Sequence, residues 1–64
     1  MKLIEYLRRY NMTSADFARQ IEASHSNVYE ITYRDRKPAI GLACQIEAAT
    51  HGLVTVLELR GETE

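Results

Sequence analysis

Residues 18–31 read "ARQIEASHSNVYEI". Two apolar stretches at helical spacing flank a short polar break, which runs into Ser24-His25-Ser26-Asn27. Before the break, Phe17, Ala18 and Ile21 fall on one side of a helix. After it, Val28 and Ile31 do the same. Ser24 is of the type that caps a helix start, so a new helix is expected from His25. Two helices joined by so few residues pack as a tight helix-turn-helix unit.

Working outward, Leu3, Tyr6, Leu7 and Tyr10 predict a first helix from about Lys2 to Tyr10, broken by Asn11-Met12. Thr13 stands three residues before Asp16, a cap followed by an acid that suits the positive helix start. Arg34-Asp35-Arg36-Lys37 reads as a charged connection. Pro38 fits the first turn of a fourth helix, where a missing N–H costs nothing. Ile40 lies at its start, Leu42, Ala43, Ile46 and Ala49 form its stripe, and Gly52 can end it in the left-handed conformation. Residues 53–59 carry β-branched residues that suit a strand. Thr55 with Glu58 is a capping box and favours a short helix, which is the expectation adopted. The chain is thus expected to be all-α, with four or five short helices in one domain over residues 1–60 and a disordered acidic tail over 61–64.

Sixty-four residues bury only about 60% of the surface an unfolded chain exposes. There is little room for a walled pocket, which argues against an enzyme, a cofactor or a small-molecule ligand. The lone cysteine, Cys44, sits among Leu42, Ala43 and Ile46 and is expected in the core. The first residues break at Glu5 before any signal-like apolar run, and no stretch approaches a membrane span. A soluble cytoplasmic protein without a membrane partner is expected. Net charge is −1, unevenly spread. Residues 1–37 hold seven Lys/Arg against five Asp/Glu, and residues 38–64 hold Arg60 against four Glu. The first half is therefore the side for an anionic partner.

Ser24-His25-Ser26 is a poor hydrolase pair, because neighbours on a helix point about 100° apart. No third group is placed to orient the histidine. His25 and His51 lack partners at ligand spacing, so no metal site is expected.

Phe17, Ala18, Ile21, Ser24, Val28 and Ile31 together resemble the lambda-repressor-like family of phage Cro and repressor proteins. Pro38, Ile46-Glu47-Ala48-Ala49-Thr50, Gly52, Val54 and Leu59-Arg60 resemble its YdaS-type branch. The two stretches cover about residues 13 to 60. Glu22 stands where the family usually has glycine in the turn, so the turn is either built differently here or carries strain of about 1 kcal/mol from a side-chain-bearing residue with positive φ.

The resemblance implies a compact DNA-binding domain whose third helix enters the major groove. With Val28 and Ile31 inside, the base-reading candidates are His25, Ser26, Tyr29 and Glu30. Thr13, Ser14, Arg19, Asn27, Tyr33, Arg34, Arg36 and Lys37 are phosphate candidates. The implied function is a Cro-like phage or prophage transcriptional repressor on a palindromic operator of double-stranded DNA. A weak homodimer is expected through Val56, Leu57 and Leu59, unless all the apolar residues of 53–59 fold back onto the core. The modest charge of the first half and Glu30 keep open a second class, a helix-turn-helix fold used as a protein-interaction module such as an antitoxin or anti-repressor.

Overall fold

The computed structural model describes residues 1–61. Five helices follow one another: α1 (Leu3–Arg9), α2 (Ser14–Gln20), α3 (His25–Tyr33), α4 (Ile40–Ala49) and α5 (Val56–Arg60). No strand occurs among the described residues, and no helix there is long and apolar enough to cross a membrane. The acidic residues 62–64 of the expected tail lie outside the described residues. Gly61 does not belong to a tail. It closes α5 in the left-handed conformation, φ 66°.

Local chemistry explains where the helices start. Thr13 Oγ1 accepts from the Asp16 N–H at 3.0 Å, and Asp16 Oδ2 accepts from the Thr13 N–H at 3.3 Å. Both donors would otherwise be orphans of the first turn. Thr55 and Glu58 repeat the device at α5, with the Glu58 N–H donating to Thr55 Oγ1 at 3.2 Å. That box overrides the β-branched residues of 53–59. Ser24 occupies the cap position of α3 without a side-chain cap bond. Pro38 does not enter the first turn of α4. The chain stays extended through Ala39, ψ 158°, and the helix begins at Ile40. The buried Pro38 leads into the helix instead, and its carbonyl accepts from Arg60 Nη1 at 2.8 Å.

Helices α1, α2 and α4 end alike. Asn11 (φ 54°), Glu22 (φ 56°) and His51 (φ 55°) each turn left-handed. The following N–H then reaches back five residues: Met12 to the Leu7 carbonyl (2.9 Å), Ala23 to Ala18 (2.8 Å), Gly52 to Glu47 (2.9 Å). This is the Schellman closure, made here with side-chain-bearing residues. Gly52 is left-handed too, φ 81°, but His51 makes the turn that ends α4.

Phe17, Val28, Ile46, Val54 and Thr50 are fully buried at the centre. Tyr6 meets Phe17 edge to face, ring centroids 6.0 Å apart. Thr50 is satisfied inside the core, donating to the Ile46 carbonyl at 2.9 Å and accepting from the Val54 N–H at 3.1 Å. One hydroxyl thereby ties the end of α4 to the approach to α5. Cys44 is exposed rather than buried. Helix α4 is apolar almost all round, so its pattern does not select an inner face. The face that packs carries Ala43 and Ile46, and Cys44 lies about 100° past Ala43, away from Ile46.

Candidate functional site

Helix α3 lies against α2 across a turn that spans residues 21–24. Phe17, Ala18, Val28 and Ile31 are all buried, Ala18 at 2% exposure. Burying Val28 and Ile31 forces the opposite side of α3 outward. His25, Ser26, Tyr29 and Glu30, the four candidates for base reading, line one shallow depression on that side together with Arg34. The rings of His25, Tyr29 and Tyr33, spaced four apart, form a ladder along it. Centroids are 6.2 Å from His25 to Tyr29 and 4.9 Å from Tyr29 to Tyr33. Tyr29 and Tyr33 are roughly half exposed.

The phosphate candidates divide. Arg34 is exposed on the rim of the depression, and its guanidinium makes no hydrogen bond or ion pair among the described residues. Thr13 is exposed with its hydroxyl engaged as a cap. Arg19 pairs with Asp16 at 2.8 Å. The Thr13 backbone N–H and then the Arg19 guanidinium hold the Asp16 carboxyl below its usual range. Ser14 is buried, and its hydroxyl lies 3.1 Å from His25 Nε2. It is thus an internal partner of α3, and a phosphate would have to displace the histidine to reach it. Arg36 Nη1 donates to Glu30 Oε1 and, at 3.2 Å, to Asn27 Oδ1. Lys37 extends to the end of α5, where a Cβ placed on Gly61 would stand 3.3 Å from Lys37 Cε and 3.7 Å from Nζ. Its ammonium therefore sits near the carbonyl end of that helix, where a cation is favoured.

Two of these arrangements leave no trace in the sequence. Ser14 and His25 are eleven residues apart and meet only because α2 and α3 cross. Glu30 and Arg36 are six apart, not a helical spacing. They meet because Asp35 turns left-handed (φ 53°), letting the Arg34 and Arg36 N–H groups both donate to the Glu30 carbonyl.

At the far end, Leu59 is buried in the chain's own core, so it is not available to a second copy. Leu57 is 47% exposed and Val56 is partly buried against the core. Among the described residues no group of three His, Cys, Asp or Glu side chains is placed to hold a metal ion. Comparison of the chain with protein families, with curated proteins and with solved structures gives no match.

Proposed function

We propose that this chain is a sequence-specific DNA-binding transcriptional regulator of the lambda-repressor-like, Cro-type kind. Helix α3 is the element that enters the major groove. The observation that carries the proposal is the convergence of His25, Ser26, Tyr29 and Glu30 with Arg34 on the one face of α3 that packing leaves free. These side chains supply donors, acceptors and an apolar ring edge for thymine methyls. Arg34 is the cation best placed for a neighbouring phosphate. A single α3 reads few base pairs, so two chains on a palindrome are needed for a unique site. Leu57, with Val56 beside it, is the apolar surface for that pairing.

A second proposal, a protein-interaction module, has one observation in its favour. Arg19 and Arg36 are occupied by Asp16 and Glu30, which leaves the α2–α3 face only weakly cationic.

Selection from a randomised duplex pool, followed by titration at several salt concentrations, tests both. Enrichment of a palindrome with steeply salt-dependent affinity supports the regulator. Failure to bind any duplex at low salt defeats it and leaves the interaction module. Sedimentation with the selected duplex checks the stoichiometry, with one chain per palindrome at saturation counting against pairing.

A further inference from the structure

Helix α3 and the loop after it hold an ion pair that helical spacing does not provide. The Arg36 guanidinium reaches back along α3 from the loop, donating to the Glu30 carboxylate in the middle of the helix and to the Asn27 amide oxygen in its first turn. The backbone enforces the position, since the Arg36 N–H donates to the Glu30 carbonyl at 3.2 Å after the left-handed Asp35. Both side chains remain about half open to water, 57% for Arg36 and 41% for Glu30. Glu30 also lines the exposed depression, while Arg36, with Asp35 and Lys37, lines a separate cleft shared with Leu3 and Leu59.

We infer that Glu30 is an intramolecular stand-in for phosphate: it holds the Arg36 guanidinium and keeps it from anionic ligands until a phosphate takes the carboxylate's place. The inference rests on the function proposed above and assigns Glu30 a restraining role in place of a base contact. Three features suit it. The Nη1 N–H groups that donate to the Glu30 carboxylate oxygen donate equally well to a phosphate oxygen. An exposed pair is weak enough to exchange. Asn27 gives the guanidinium a second, neutral anchor that persists when Glu30 lets go, so Arg36 stays over α3 as it changes partner.

The restraint makes binding conditional. A stray anion must compete with a carboxylate already in place. A duplex docked along α3 presents several phosphates at once and can outcompete it. Glu30 thereby lowers affinity for polyanions in general more than for a well-docked site.

The test uses Glu30→Gln, which removes the charge and keeps the shape, with Arg36→Ala and the double variant. Inorganic tripolyphosphate is the first probe, followed through the Arg36 Nε–H resonance and, in the Arg36→Ala backgrounds, through backbone amides of α3. Glu30→Gln is expected to bind up to about fivefold tighter than the parent, the span for an exposed ion pair. The gain is expected to vanish in the double variant. Equal affinity of Glu30→Gln and the parent overturns the inference. So does a gain that survives Arg36→Ala, because it then comes from net charge alone. Random-sequence duplex is the second probe. A salt slope steeper by about one unit in Glu30→Gln reports the released cation. If tripolyphosphate shows the gain and no duplex binds either protein, the restraint stands and the DNA-binding proposal falls.

Discussion

The hydroxyl of Ser14, the first residue of α2, lies 3.1 Å from Nε2 of His25, the first residue of α3. This contact ties the start of α2 to the start of α3, which the chain otherwise reaches from the far end of α2 through a four-residue turn. It also fixes the ring, with Nε2 turned toward Ser14.

Ser14→Ala removes the lock without disturbing the packing, because alanine fits the buried site. The loss of one part-buried hydrogen bond is expected to cost about 1 kcal/mol, read by denaturant unfolding. The ring nitrogen shifts of His25 are expected to move toward the free tautomer mixture. Unchanged stability together with unchanged shifts would show that the contact does not form in solution.

Base and phosphate roles separate by the pattern of loss. Ser26→Ala or Tyr29→Ala is expected to change preference among duplexes. Arg34→Ala is expected to weaken all duplexes alike and to flatten the salt slope by about one unit. Parallel losses from all three variants across sequences would leave α3 without a reading role.

The left-handed turns give a stability prediction. Glu22 holds a conformation that costs a side-chain-bearing residue about 1 kcal/mol, and glycine holds it freely. Glu22→Gly is therefore expected to raise stability by up to ~1 kcal/mol, or about 4–8 °C in Tm for a domain of this size. Gly61→Ala is expected to lower it, because φ is positive there and Lys37 Cε lies 3.3 Å from the new Cβ. Melting curves of the two variants moving in the same direction would contradict the turn geometry.

Ala18 sets the approach of α3 to α2. Ala18→Leu is expected to destabilise by ~1–3 kcal/mol through overpacking. A variant that melts with the parent would show that the helices do not cross at Ala18.

Acid is expected to loosen α5. Glu58 accepts from the Met1 ammonium at 2.7 Å. That bond, with help from Thr55 and against the opposing effect of desolvation, holds the carboxyl below its usual range. A carboxyl depressed in the folded state contributes stability above its unfolded pKa, and that contribution fades as pH falls through the folded value. Stability should therefore decline as pH falls below the ordinary glutamate value of 4.5. Glu58→Gln should lower the stability at neutral pH and flatten the decline. An identical slope in the variant would remove Glu58 as its source.

The helices and the buried seam were legible because Phe17 and Ala18 before the polar break, and Val28 and Ile31 after it, each mark one side of a helix, and because Thr13–Asp16 and Thr55–Glu58 are local boxes. The inner face of α4 was not, since a helix apolar almost all round offers Cys44 and Ala43 equally to the core. Nor were the starting point of that helix or the residues whose left-handed turns close α1, α2 and α4 itself. Glycine is the expected marker of a left-handed residue, and here Asn11, Glu22 and His51 take that place. At the candidate site, sequence spacing brought His25, Ser26, Tyr29 and Glu30 to one face. It could not show that Ser14, Arg19, Arg36 and Lys37 already have neighbours of their own, because most of those neighbours come from other turns of the chain.

The three Schellman closures bear on how the chain reaches this structure. Each is complete within its own helix end, so Leu7–Met12, Ala18–Ala23 and Glu47–Gly52 need no distant partner to form. Structure built from such short-range contacts condenses quickly, on the microsecond-to-millisecond scale of small helical proteins. The ties from Met1 to Glu58 and from Pro38 to Arg60 close much longer loops. Their entropy must be met after the turns are in place, so the docking of α5 against Met1 and Pro38 settles after the helix ends have closed.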